Sequence, residues 1–366
     1  MDLYIDSRMI SCSGIGTVLK NLIPPLCSVP FSTTLIVHPE ELNRENWLAK
    51  YSWKICKAPI YSLKEQLSLP KAISPCDLFW SPHYNIPLLP VGAKKRIVTI
   101  HDACHIAFKN SLDWKKRLYA QTMLRQAIVR SDGIITDSKF SQEELHRLFS
   151  IPKNKIRVIY PGVDFERFSR KYSQEKTALL RIKYSLPSSF FLFVGNIKPH
   201  KNTGLILDAY EHNLIDIPLI IIGKYHGLRQ SDSTFSRIEQ NHKLKNKVLF
   251  LGEVLDDELP LFYQMAVALI FPSLYEGFGL PPLEAMAAGC PAIVSSNASI
   301  PEVCGDAAIF LKENDPDELG AAMLRVAENS PPVTSLREKG KERALKFSWA
   351  RTAMEYRKAF EEIHRL

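Results

Sequence analysis

The chain has 366 residues, 46% hydrophobic and 23% charged, the make-up of a soluble globular protein with room for two cores. Its seven cysteines (12, 27, 56, 76, 104, 290, 304) never form Cys-x-x-Cys, which argues against a disulfide framework or zinc site and for a reducing compartment. The net charge of +8 is uneven: residues 1–170 carry 24 Lys and Arg against 15 Asp and Glu, and residues 171–366 carry 23 against 24.

A basic first half suits an anionic partner: a phosphorylated substrate, a lipid headgroup surface or nucleic acid. The start, MDLYIDSRMI, lacks the basic flank and long apolar run of a signal peptide. No stretch reaches about 18 apolar residues, so no membrane-spanning helix is expected. The expected location is cytoplasmic, at most peripheral on the inner face of the cytoplasmic membrane.

Short β-rich runs alternate with helical stretches along the chain. Strands are predicted at LYI (3–5), TTLIV (33–37), RIVTI (96–100), GIIT (133–136) and RVIY (157–160). Five more follow at FFLFVG (190–195), PLIIIG (218–223), VLFLG (248–252), ALIFPS (268–273) and PAIVS (291–295). Helices are predicted at 15–27, 112–130, 141–149, 202–212, 256–266, 281–288, 316–328 and 336–365. Continuous apolar runs suit strands buried on both faces, as in a parallel sheet covered by helices. The alternation therefore predicts an α/β protein with two doubly wound parallel sheets. A Pro-Gly turn in YPGVDFERFSRKYSQEK (160–176) marks the boundary. The expected domains are 1–165 and 166–349, with a helix over about 350–366 placed to pack back on the first.

Gly14 and Gly16 follow the first strand and enter a helix, a loop suited to close backbone approach. Leu19 stands where a third glycine would complete a dinucleotide fingerprint. His101 and Asp102 directly follow a buried strand. A histidine there can donate a hydrogen bond, act as a base, orient a neighbour, or be merely structural. His105 makes a His-x3-His pair with it, but no third ligand is near, so no metal site is expected. The stretch 113–130 joins Lys115, Lys116, Arg117, Arg125 and Arg130 to Trp114, Leu118, Met123, Leu124 and Ile128. It reads as a membrane-surface helix or, more commonly, as a surface helix with its apolar stripe in the core.

In FVGNIKPHKNTGLILDAY (193–210) a strand ends in glycine and a helix follows a loop carrying Lys198, His200 and Lys201. Cations at a helix start make a phosphate cradle. In YEGFGLPPLEAMAAGCP (275–291) prolines open a helix and Gly289 ends it. Gly277 and Gly279 let a ligand approach the unpaired N–H groups of that helix start. Glu284 is expected in the first helical turn, where the dipole stabilises a carboxylate. Glu276 has no such local reason, and it lies at the carboxyl end of a strand, the usual ligand edge of an α/β sheet.

In this order, these segments resemble the retaining GT-B glycosyltransferases of family 4. The specific part is Glu276-x7-Glu284 within PSLYEGFGLPPLEAMAAGCPAIVS. The run Gly-Asn-x-Lys-Pro-His-Lys-Asn at 195–202, VIYPGVD at 158–164 and TIHDACHIAF at 99–108 strengthen it. The wording is most similar to bacterial mannosyltransferase-like members that build O-antigen, capsular or exopolysaccharide chains. The resemblance implies two Rossmann-like domains facing a central cleft. The first would bind the acceptor and the second a nucleotide-diphosphate sugar donor.

By the same resemblance, Lys201 would neutralise the donor diphosphate. Backbone N–H groups of Gly277, Phe278, Gly279 and Leu280 would meet the phosphate and the sugar. Glu284 would hold the ribose, Glu276 would face the donor sugar, and His101 would lie near the reacting sugar. Gly14 and Gly16 would line the facing loop. Many members carry arginine where this chain has Asn196, and Lys198 is the candidate replacement for that charge. The implied reaction moves a hexose, mannose from GDP-mannose first of all, to a glycan or polyprenyl-diphosphate-linked hydroxyl. It would proceed with retention and with no metal or other cofactor. A UDP-sugar-dependent glucosyl- or N-acetylglucosaminyltransferase and a GT-B nucleotide-sugar epimerase stay open. No nucleic-acid motif is recognisable, so nucleic acid is not expected as a partner, and an anionic membrane surface stays open as one.

Overall fold

The computed structural model describes residues 1–28, 31–108, 114–224, 233–328 and 331–366. They form two units, Met1–Gly162 with Trp349–Leu366, and Val163–Ser348. The first division thus falls at Gly162 rather than at 165.

The first unit contains β1 (Asp2–Asp6), β2 (Ser32–Val37), β3 (Ser52–Ile55), β4 (Cys76–Ser81), β5 (Ala93–Thr99), β6 (Gly133–Thr136) and β7 (Ile156–Val158). They form one sheet in the order β3-β2-β1-β4-β5-β6-β7, with every pairing parallel. The second unit contains β8 (Phe191–Val194), β9 (Leu219–Ile222), β10 (Val248–Gly252), β11 (Leu269–Phe271), β12 (Ala292–Ser295) and β13 (Ile309–Leu311). Its sheet runs β10-β9-β8-β11-β12-β13, again all parallel. In each sheet the order turns outward from one central pair, β1 with β4 and β8 with β11. Loops leaving the carboxyl ends at such a switch point diverge, and the crevice between them is where this architecture takes ligands.

Burial explains the strands. Every residue of β9, Leu-Ile-Ile-Ile, is buried, because helices cover both faces of a parallel sheet. Three strands carry weak sequence signals. β4 opens with Cys76 and Asp77 and has only three consecutive apolar residues, yet it is central and pairs with β1 and β5. The edge strand β3 is exposed or half-buried throughout, and β13 is three residues long.

The predicted helix 336–365 is two helices, Pro331–Ala344 and Trp349–Arg365. The break follows from packing. Phe347 leaves the helical path and sets its ring against Phe278 at 5.8 Å, while its carbonyl accepts from the Val163 amide at 3.1 Å. The second helix joins the first unit. Tyr356 and Phe360 lie against Trp80 at ring distances of 5.1 and 5.6 Å, and all three are buried. Truncating an aromatic of this kind to alanine costs about 3–5 kcal/mol.

The predicted helix 112–130 is described from Trp114 to Arg130, and residues 112 and 113 lie outside the described residues. Its core face is Ala120, Met123, Leu124 and Ala127. Trp114 and Leu118 do not join that face. They are 71% and 56% exposed, and with Val129 at 78% they form a second, outward apolar stripe that includes Arg125.

Candidate functional site

In Val163–Ser348 the loops after β8 and β11 meet at the switch point. Pro199–Lys201 forms one 3-10 turn, and Asn202 takes a left-handed backbone before the helix Thr203–His212. The turn is tied to the neighbouring loop through the His200 carbonyl, which accepts from the Leu274 amide at 2.7 Å and the Ser273 hydroxyl at 3.1 Å. This fixes Lys201. Its Nζ donates to Glu276 Oε1 at 2.6 Å and lies 5.0 Å from the Phe271 ring centre. Both side chains of the pair are largely buried, at 15% and 13% exposed. Ser273 Oγ also donates to Glu276 Oε1. The sequence pattern placed these two residues 75 positions apart, and the fold joins them in one ion pair.

Glu276-Gly-Phe-Gly leads into the helix Leu280–Ala287. Ser299 pins the loop from behind, its hydroxyl within 2.9 Å of the Glu276 carbonyl and 2.6 Å of the Phe278 carbonyl. Phe278 points into the core, so its contribution to any ligand is backbone. Gly279 has φ +121°, and a Cβ there would come within 2.9 Å of the Ile300 side chain, so the turn requires glycine.

Glu284 differs from expectation. The helix begins at Leu280, and Glu284 lies past the first turn, which holds no acidic residue. The dipole therefore gives no local reason for an acid here. Its Oε2 accepts from the Tyr263 hydroxyl at 2.9 Å, and burial pushes its carboxyl up to about 7 against that hydrogen bond. Asn196 reaches across to the neighbouring strand end, its Oδ1 accepting from the Lys224 amide at 2.9 Å. It braces two loops. Lys198 is exposed and caps the 3-10 turn only through its backbone.

In the first unit, His101 is held at both ring nitrogens. Nδ1 lies 2.6 Å from Asp137 Oδ2, and Nε2 lies 2.9 Å from the Pro82 carbonyl. A carbonyl only accepts, so Nε2 carries a proton. Burial works against the charged ring, but the Asp137 carboxylate outweighs it and leaves the His101 pKa above its ordinary value. The arrangement favours a donor and an orienting cation over a base. Gly16 is buried in the helix Ser13–Cys27, where a Cβ would run into the Ile10 carbonyl; Gly14 is exposed with open space around it.

Sequence reasoning missed a buried ionic cluster after β1. Arg8 donates from Nε to Asp6 Oδ1 at 2.8 Å and from Nη2 to Asp6 Oδ2 at 2.7 Å and Glu65 Oε1 at 2.6 Å. Asn85 Nδ2 adds a 2.8 Å bond to Glu65 Oε2. Removing one partner of such a buried pair costs about 3–5 kcal/mol. The available signal was Asp6-Ser-Arg8 at a strand end, but Glu65 is 57 positions from Arg8. Among the described residues, no group of three or more His, Cys, Asp or Glu is placed to hold a metal ion, and no helix is long and apolar enough to cross a membrane.

Known proteins match this frame. Glycosyltransferase Family 4 matches residues 13–167, and Glycosyl transferases group 1 matches residues 182–344. The O-antigen chain mannosyltransferase B of Escherichia coli is 30% identical over 266 residues, 71% of this chain and 68% of that protein. The serotype-specific mannosyltransferase WbdA of Escherichia coli is 30% identical over 231 residues, 61% of this chain, which spans only 28% of WbdA. HepE of Anabaena, solved in complex with UDP-glucose, superposes with a TM-score of 0.79 over 99% of both chains at 16% identity, a likeness of fold. The two parallel-sheet units are those of the GT-B fold. With both halves matched and these relatives, the chain belongs to the glycosyltransferases of group 1 and family 4.

Proposed function

We propose that this chain is a retaining, metal-independent hexosyltransferase that moves mannose from GDP-mannose to a hydroxyl of a glycan or polyprenyl-diphosphate-linked acceptor in bacterial surface polysaccharide assembly. The observation that carries the reading is the Lys201–Glu276 pair at the β8/β11 switch point, beside the glycine-bearing helix start. The mannosyltransferase relatives support mannose as the sugar, and the family resemblance alone favours GDP as its carrier.

Bond cleavage separates charge. The departing diphosphate gains negative charge and the sugar becomes oxocarbenium-like, so fixed positive groups lower the barrier. An ammonium has three donors. Lys201 uses one on Glu276 and would turn another to the diphosphate. Backbone N–H groups of Gly277, Phe278, Gly279 and Leu280 would meet the phosphate and sugar. The hydrogen bonds to Glu276 fall on Oε1, which leaves Oε2 to accept from a donor-sugar hydroxyl. Glu284, partly accessible on the same helix, would accept from the ribose. His101 would supply positive charge and a donor toward the reacting sugar, after exchanging the Pro82 carbonyl for it. Gly14 offers uncluttered backbone at the opening of its helix.

Thermal shift against GDP-mannose, UDP-glucose and UDP-N-acetylglucosamine tests the donor, since a bound ligand raises the melting temperature. NMR of the product's anomeric proton tests retention, and activity in a chelator tests metal independence. Stabilisation by UDP-sugars alone would replace the mannosyl reading with the glucosyl or N-acetylglucosaminyl one. Isomerised sugar in the absence of acceptor would replace transfer by epimerisation.

The basic first half and the outward stripe of Trp114, Leu118 and Val129 support an anionic membrane surface as a further partner. Flotation with phosphatidylglycerol vesicles tests it, and equal recovery with neutral vesicles would remove the electrostatic part.

A further inference from the structure

Next to the buried Asp6–Arg8–Glu65 cluster stands a group of aromatic side chains with no part in the donor loops. Tyr61 is half exposed, and its ring lies 5.8 Å from His83 and 6.3 Å from Tyr119, both edge-on. Its hydroxyl is 3.4 Å from His83 Nε2. Tyr119 donates its hydroxyl to Asn85 Oδ1 at 2.7 Å, and Asn85 is held by Glu65.

Tyr61 has a backbone φ of +64°, a left-handed conformation that a bulky side chain rarely adopts. The Tyr61 amide donates to Glu65 Oε2 at 2.7 Å, so the buried cluster holds the strained turn in place. Strain of this kind persists only where its surroundings over-determine it, and it gathers at ligand clamps. Burial, with the nearby His101 and His105, pushes His83 down to about 3, so it stands as a neutral ring; its Nδ1 accepts from the Asn85 amide at 3.2 Å, which leaves Nε2 as an N–H donor. A cavity of about 10 Å³, room for one water, lies beside the rings, lined by Arg8, Glu65, Ser81, Pro82, His83 and Asn85; a sugar would lie on the exposed ring faces outside it. Pro82 is the residue whose carbonyl faces His101, so this wall adjoins His101.

We infer that Tyr61, Tyr119 and His83 form a binding subsite for the acceptor's terminal pyranose. A pyranose presents an apolar face of C–H groups and a rim of hydroxyls. The aromatic rings would take the face, and the two phenols and the His83 Nε2–H would meet the rim, with Asn85 holding Tyr119 from beneath. The inference rests on the glycosyltransferase reading and assigns its acceptor side to named side chains.

Saturation-transfer NMR on the full chain tests it, with methyl α-mannopyranoside, methyl α-glucopyranoside, methyl β-galactopyranoside and N-acetylglucosamine as probes. Wild type is expected to transfer saturation to at least one of them. Tyr61→Gly removes the ring while accommodating the left-handed backbone, so it should hold its melting temperature and lose about fivefold of the signal. Tyr61→Phe should keep most of it, and Tyr119→Ala should lose it in part. No transfer to any probe from wild type, or full transfer to Tyr61→Gly, overturns the subsite. Stabilisation of wild type by GDP or UDP is read separately, so failure of the donor reading and failure of the acceptor subsite are told apart.

Discussion

The two sheet edges are built by different means. At the β8/β11 edge, one ion pair sits in a frame of backbone: a 3-10 turn, a glycine with positive φ, and carbonyls pinned by Ser273 and Ser299. At the β1/β4 edge the frame is side chains: Arg8 between two carboxylates, Asn85 on Glu65, and aromatic rings above. Backbone amides suit what every ligand shares, such as a phosphate, because they do not change with the side chain. Side chains can be exchanged one at a time, which suits a ligand that differs between relatives. Under the proposed function, the first edge described would take the donor diphosphate and the second the acceptor glycan.

The largest effect should come from the one cation in the backbone frame. Lys201→Ala is expected to lower turnover about a hundredfold, roughly 3 kcal/mol, and to abolish stabilisation by the donor. Initial rates with a labelled nucleotide-sugar decide this, and near-normal activity would break the phosphate assignment.

Asp137→Asn comes next, with a loss of about tenfold, because it removes the carboxylate that favours the charged form of His101. A pKa raised on folding gives stability that is present below about 6.5 and lost as pH rises through the folded value. Melting temperatures of wild type should therefore fall over that window by more than those of Asp137→Asn, which keeps only the contribution of Glu284. A parallel fall in both would show that His101 is not the titrating group.

Glu284 has the same sign for a different reason. Burial raises its carboxyl to about 7, so the stability it contributes is full below about 4.5 and lost as pH climbs through 7. Glu284→Gln should remove that step and weaken nucleotide binding above pH 7, as read by calorimetry at several pH values. A nucleotide affinity unchanged by Glu284→Gln would detach this residue from the ribose.

The smallest effect lies outside both edges. Trp114→Glu with Leu118→Glu should change stability by no more than about 0.5 kcal/mol, since both side chains are exposed. Recovery with anionic vesicles should nonetheless drop, and unchanged flotation would leave the outward stripe without its proposed lipid partner.

The parallel sheets, the order of motifs and the Glu276 loop were legible in the sequence because each is a local signal: a buried apolar run, a glycine at a turn, a proline opening a helix. Three things were not. β4 is set by its neighbours rather than by its three apolar residues. The break at Phe347 depends on Phe278, 69 positions earlier, which no helical period records. The Arg8–Glu65 bond and the left-handed Tyr61 depend on loops that only the folded sheet brings together. Glu284 was misjudged for a smaller reason, a helix start displaced far enough to put it beyond the dipole's first turn.

The helix Trp349–Arg365 fills the core of a sheet whose other strands end by Val158. The first unit is therefore interrupted in the chain, and the second is continuous. During synthesis, β1 to β7 must wait for some 190 further residues before Tyr356 and Phe360 can close against Trp80. Val163–Ser348 has all its parts as soon as it emerges. A segment made after the second unit thus completes the first, and a chain cut before Trp349 would leave the Trp80 side of the first sheet uncovered.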